Sequence, residues 1–264
     1  IMPSLVGSEM CIRDRNIVIM LLIITGGIGF LTWEDFYINK FKFKRYRMQS
    51  KIILMTTAIL ICLPAIFFFT NDFKMFSGEE RTLLSFFQSI TTRTAGFNTA
   101  DMALMTESGK AVMIFLMLIG GSPSSTAGGM KTTTFAVLIL NAFATFRNRE
   151  DAGAFGRRFD GQVIKNAATI AMLYFMLLFF GGITISVYEG LPVLTCFYEA
   201  ASAVGTVGLT LGVTPGLHII SRLILIALMY LGRVGGMTLI YAVFSGKNNN
   251  GASCLLYTSP SPRD

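Results

Sequence analysis

Apolar residues along this chain fall into runs of two lengths, and the order of long and short runs sets the architecture. Residues 16–37, 52–70, 162–188 and 217–244 are apolar over about the ~20 residues that a bilayer crossing requires. Residues 80–91 and 193–203 are equally apolar but too short to cross, and each lies between two long runs. They predict helices that enter the membrane and leave it on the same side. Ser77-Gly78-Glu79-Glu80 has the spacing of a capping box at the head of the first. Pro192 suits the first turn of the second. Pro64 predicts a kink in the run 52–70. Residues 110–146 exceed one crossing, and their middle reads Gly120-Gly121-Ser122-Pro123-Ser124-Ser125-Thr126-Ala127-Gly128-Gly129. Proline removes a backbone donor and the glycines weaken helix propensity, so this stretch predicts a break at membrane depth. Such a break is tolerated only where it is buried in protein or lines water.

The order long, short, long occurs twice, after one unpaired long run. The segments that follow the two short runs also correspond: Thr91-Thr92-Arg93-Thr94-Ala95-Gly96-Phe97-Asn98-Thr99 returns in altered form as Val204-Gly205-Thr206-Val207-Gly208-Leu209-Thr210. Glycine in such a loop lets successive carbonyls face one way, and carbonyls so aimed can replace a cation's water shell. Each short helix would point the negative end of its dipole at its loop, which favours a cation there. Gly26-Gly27-Ile28, Gly128-Gly129-Met130 and Gly235-Gly236-Met237 occupy matching places in three long runs and predict three equivalent inner helices. The chain therefore divides into an inner helix with a basic loop (16–50), one complete pore unit (51–160) and a second (161–247). Two units cannot surround an ion, so a closed ring needs further copies.

An apolar fraction of 53% with only 14% charged residues excludes an ordinary soluble protein. The net charge of +7 does not indicate nucleic acid, because the basic residues cluster in two loops between apolar runs. One carries Lys40, Lys42, Lys44, Arg45, Arg47 and Lys51, the other Arg147, Arg149, Arg157, Arg158 and Lys165. That is the pattern of inward-facing loops of a multi-pass protein, whose first partner is the bilayer. Residues 5–15 and 254–264 resemble translated sequencing adapter, so 1–15 and most of 248–264 are expected to be non-native and the native piece, about 16–250, to be cut from a longer gene. Cys62 and Cys196 lie in apolar surroundings and are expected to be buried packing thiols. His218 has no partner at metal-ligand spacing, and there are no paired acids or nucleophile and base for catalysis.

Taken together, Thr92-Arg93-Thr94-Ala95-Gly96-Phe97-Asn98-Thr99, the Gly120–Gly129 stretch followed by Met130-Lys131, Phe155-Gly156-Arg157-Arg158 and Ser202-Ala203-Val204-Gly205-Thr206-Val207-Gly208-Leu209 resemble the Trk, Ktr and HKT superfamily of potassium transporters, and most closely its bacterial Ktr-type membrane subunits. The resemblance implies an all-α polytopic membrane fold with four pore units around one channel, of which this chain would hold the third, the fourth and the inner helix of the second. It implies potassium uptake as a pore-forming subunit in the bacterial plasma membrane, with no chemistry on a substrate and no cofactor beyond the transported potassium, sodium coupling being possible in the family. A homodimer and a cytosolic nucleotide-binding regulatory ring are the partners it implies. A Trk-type or sodium-permeable relative is the alternative within transport, and a non-conducting membrane scaffold for a cytosolic partner is the rival of another class.

On that resemblance Thr94, Ala95, Gly96, Phe97, Thr206, Val207, Gly208 and Leu209 form the selectivity filter, with potassium at their backbone carbonyls; the plain alternative is a pair of turns between helices. Gly120, Gly121, Ser122, Pro123, Ser124, Ser125, Thr126, Ala127, Gly128 and Gly129 form the intramembrane gating loop, against the alternative of a static kink. Arg233 sits midway along the last run, where an ionised group costs at least ~2.5 kcal/mol. It is expected to face the pore or the gating loop as an electrostatic barrier, or else to pair with carbonyls at a helix end. Lys131 has a gating role or an interfacial one.

Overall fold

The computed structural model describes residues 5–40, 42–76, 78–99, 102, 105–148 and 152–234. Ser77 of the expected capping box, the third Gly-Gly-Met and the rest of the final run lie outside the described residues. The chain folds into helices α1 (Leu5–Ile28), α2 (Phe30–Asn39), α3 (Met48–Asn71), α4 (Gly78–Thr91), α5 (Glu107–Leu118), α6 (Thr132–Phe146), α7 (Gly161–Glu189), α8 (Val193–Val204) and α9 (Ile219–Val234). A two-stranded hairpin, β1 (Gly153–Ala154) and β2 (Arg157–Arg158), lies between α6 and α7.

Helices α3 and α7 are each long and apolar enough to cross a membrane. Helix α3 stays helical through Pro64, so the expected kink does not interrupt it. At 1.5 Å per residue, α4 and α8 reach only about 21 and 18 Å, well short of a ~30 Å hydrocarbon core. Both are re-entrant in length, as their sequence runs predict. The long segment 110–146 breaks between Leu118 and Thr132, bracketing the glycine-rich stretch. Helix α5 begins at Thr106, whose side chain caps Gly109 N at 3.0 Å while its own hydroxyl donates to Asp72 Oδ1 at 2.7 Å. That bond ties the outer ends of α3 and α5 together.

Residues 16–37 are not one straight span. The chain turns by 92° at Gly29, between α1 and α2. Gly29 has φ 86°, and a Cβ there would come within 2.5 Å of the Pro123 carbonyl oxygen and 2.7 Å of Ser122 Oγ. The glycine-rich stretch 120–129 thus occupies the corner, and only glycine leaves room for it. Upstream, the helix continues from Leu5, so part of the stretch that the sequence sets apart as a tail extends α1, and Arg13 pairs with Glu79 at 2.9 Å.

The core centres on α8, whose Tyr198, Ala200, Ala201 and Val204 are buried against Met113, Met117, Ile185 and Leu228. Small residues bring helices close: a Cβ at Gly232 of α9 would collide with the Val204 carbonyl oxygen, and one at Gly181 of α7 with Leu228. Large apolar side chains such as Leu22, Leu63, Ile66, Phe180, Leu223 and Tyr230 remain on the outside, as suits helices facing lipid rather than water. Cys196 is buried as expected, but Cys62 is exposed on α3. A helix that is apolar on every side gives no periodic signal of which face is covered. On the charged side, Lys51 Nζ stands 5.5 Å over the Phe155 ring, which brings the two basic loops onto one face.

Candidate functional site

The two expected filter loops share a backbone geometry that their residue types do not reveal. Thr94 and Thr206 have φ of 62° and 52°, Gly96 and Gly208 have φ of 70° and 92°, and Ala95 and Val207 between them stay on the negative side. In an extended strand successive carbonyls point oppositely; alternation in the sign of φ turns the peptide planes so that they point alike. A threonine at positive φ is strained by roughly 1–3 kcal/mol, so its surroundings must hold it there. In the first loop Thr91 Oγ1 donates to Phe97 O at 2.6 Å, and Gly96 N donates to Thr91 O at 3.3 Å. In the second, Val207 N donates to Ser202 O at 2.9 Å and Gly208 N to Ser202 Oγ at 3.1 Å. The loops abut: a Cβ at Gly96 would collide with the Val207 carbonyl oxygen, whereas nothing crowds Gly208. Phe97 is exposed while its counterpart Leu209 is buried.

The broken segment packs directly beneath them. Its ends are closed by a bridge in which Gly120 N donates to Met130 O at 2.8 Å and Met130 N to Leu118 O at 3.1 Å. Gly120, Gly121, Ser122, Gly128 and Gly129 are buried; Ser124 and Thr126 are exposed, with Pro123, Ser125 and Ala127 between these extremes. A Cβ at Gly128 would collide with Thr206 Oγ1, so the loop touches the second filter. Three elements hold it. At the corner of α1 and α2, Ser122 N donates to Gly27 O at 3.0 Å, Ser122 Oγ donates to Gly27 O at 2.8 Å and also to Ile28 O, and Phe30 N donates to Ser124 O at 3.2 Å. From α9, Arg233 Nη1 donates to Thr126 O at 2.6 Å. Lys131 Nζ donates to Ala127 O at 2.7 Å. Arg233 therefore lies on a carbonyl of the loop, and Lys131 holds the adjacent one. Between the first of the two strained loops, α1 and this loop lies a cavity of about 260 Å³, lined by Arg93, Thr94, Ala95, Gly26, Thr126 and Ala127 among others.

Residues 15–250 match the protein family described as TrkH, cation transport protein. The chain belongs to that family. Among its TrkH-family relatives, the potassium/sodium uptake protein NtpJ of Enterococcus hirae is 36% identical, over 93% of this chain and 57% of that protein. The Ktr system potassium uptake protein B of Bacillus subtilis is 32% identical, over 89% of this chain and 54% of that protein. The crystal structure of the potassium transporter TrkH from Vibrio parahaemolyticus shares the fold, with a TM-score of 0.71 at 18% identity over 88% of this chain and 52% of that one. The chain spans about half the length of the relatives it matches. The family is one of cation transporters, not enzymes, and among the described residues no group of His, Cys, Asp and Glu could hold a metal ion.

Within this TrkH-family site the structure adds residues that sequence reasoning passes over. Glu199, in the middle of α8, is only 5% exposed and accepts from Thr210 Oγ1 at 2.7 Å, Leu211 N at 2.9 Å and Thr214 Oγ1 at 2.8 Å. It fixes residues 210–214, directly after the second loop. A lone acid in an otherwise apolar re-entrant helix is the signal that would have found it. Asp35 of α2 is likewise buried, accepting from Ser50 Oγ at 2.6 Å and Arg47 N at 3.1 Å, and so anchors α2 to the start of α3.

Proposed function

We propose that the chain is the third and fourth pore units, with the second inner helix, of the ion-translocating subunit of a bacterial potassium uptake system. In this reading Gly96 and Gly208 are filter glycines and the flanking carbonyls bind potassium. Residues 120–129 are the gate, and Arg233 is a barrier charge beneath the filter. The observation that carries the reading is the matched alternation of φ at Thr94 to Gly96 and Thr206 to Gly208, each loop at the end of a re-entrant helix. A scaffold has no use for two such strained loops. The complete protein works in the plasma membrane, as a homodimer with a cytosolic nucleotide-binding regulatory ring on the face of the two basic loops. The names of its relatives, potassium uptake protein and potassium/sodium uptake protein, support potassium as cargo and leave sodium as the second ion to test.

The test is potassium-limited growth of a potassium-uptake-deficient bacterium carrying the complete gene and its cytosolic partner, with and without Gly208→Ser, and with added sodium. Rescue by the wild type that becomes weaker or sodium-inhibited in the variant is the expected result. A wild type that is expressed yet fails to rescue refutes potassium uptake; rescue with unchanged sodium sensitivity in Gly208→Ser refutes the filter assignment.

A further inference from the structure

A positive charge stands where a cation pathway should least want one. Arg93 lies between Thr92 and the first filter residue, two positions past the carboxyl end of α4, and is only 7% exposed. Its Nε and Nη2 are enclosed without a hydrogen-bond partner among the described residues. Arg93 also lines the 260 Å³ cavity beneath the filter, together with Thr94 and Ala95. The opposite wall includes Thr126 and Ala127, whose carbonyls already accept from Arg233 and Lys131. Among the described residues no carboxylate lines this cavity, and Arg93 is the one charged side chain on its wall, with Arg233 and Lys131 behind the Thr126 and Ala127 carbonyls.

The fourth unit is built otherwise. Gly205 stands in the place of Arg93, and a Cβ there would collide with the Met117 carbonyl oxygen of α5. Backbone packs against the end of α8, and no long side chain fits. The negative end of the α8 dipole therefore acts on its filter unopposed, while the guanidinium of Arg93 offsets that of α4. The two filters share a backbone but differ in field.

We propose that Arg93 is a specificity-determining residue of the filter, a fixed charge that weakens cation binding on the third-unit side. Conduction needs sites that bind well enough to admit an ion and weakly enough to release it. A unit charge even about 10 Å from the ion, at an effective dielectric constant of about 20, changes binding by about tenfold. A weaker field also disfavours the smaller cation, which holds its water more tightly. Arg93 thereby lowers affinity, speeds release and raises the preference for potassium over sodium.

This inference rests on the filter assignment, and the experiment separates the two. Potassium and sodium uptake by the complete protein are measured against concentration for wild type, Arg93→Met and Arg93→Lys, with Arg93→Gln replacing the methionine variant should that one not reach the membrane. The neutral variant is expected to lower the half-saturating potassium concentration about tenfold and that of sodium further, and to reduce the maximal rate. Arg93→Lys should stay within twofold of wild type. Equal effects of Lys and the neutral residue would mean a packing role and overturn the proposal. Unchanged constants in the neutral variant, as expected if a carboxylate elsewhere in the complete protein neutralises the guanidinium, would overturn it too. A wild type that moves neither cation refutes the transport reading itself, and this inference falls with it.

Discussion

Replacing Ser122 by alanine tests whether the broken segment is a gate, because this hydroxyl is the side-chain tie between the loop and the corner of α1 and α2. Its Oγ donates to the carbonyls of Gly27 and Ile28, both freed by the break at Gly29. In the alanine variant Gly27 O keeps the Ser122 amide at 3.0 Å, but Ile28 O loses its hydroxyl donor. A half-buried acceptor left without a partner costs about 1–3 kcal/mol. If the loop must leave this position for ions to pass, that cost is removed from opening, and the ratio of open to closed rises by a factor of about 5 to about 150. The assay is the initial rate of potassium uptake into potassium-depleted cells expressing the complete protein under non-activating conditions, where few gates are open. Uptake should rise at least about fivefold, the lower end of that range. A variant whose thermal stability falls while uptake stays at the wild-type rate would refute the reasoning, because the loop would then be a packing element whose loosening no ion senses.

Two further perturbations address the neighbouring contacts. Arg233→Ala removes both the bond to Thr126 O and the charge beneath the filter, so potassium uptake should rise several-fold in the same assay; unaltered conduction and regulation would exclude Arg233 from the pathway. Glu199→Ala strips three donors of their acceptor and should destabilise the purified protein by about 2–4 kcal/mol. Glu199→Gln, of the same shape and still able to accept, should lose much less, and equal melting temperatures for the two variants would show that residues 210–214 do not depend on this side chain.

Spans, re-entrant helices and the broken segment were legible because each rests on a local rule. A bilayer has one thickness, Pro123 and its glycines cannot continue a helix, and α4 and α8 are simply too short to cross. The turn at Gly29 is not legible, since Gly26, Gly27 and Gly29 weaken the helix without fixing a turn; the corner is filled by Pro123, almost a hundred residues on. Cys62 was misassigned for a related reason: in lipid the outer face is as apolar as the inner, so burial leaves no period in the sequence. Of the site, the glycines at 96 and 208 were visible, but the positive φ of Thr94 and Thr206 was not, because threonine gives no sign of that conformation. Glu199 and Arg93 stand in plain view as single charges, and only the contacts around them show that, among the described residues, one is satisfied and two nitrogens of the other are not.

The 92° turn at Gly29 makes α2 a lever. Its ten residues give an arm of about 15 Å. At the short end, the amide of Phe30 grips Ser124 in the broken segment. Midway along it, Asp35 clamps the arm to Ser50 and Arg47 on the basic face. The hydrogen bonds at Ser122 and Ser124 stand at the pivot of this arm, so one rigid helix joins the basic face to the broken segment, and any tilt of α2 bears on those bonds.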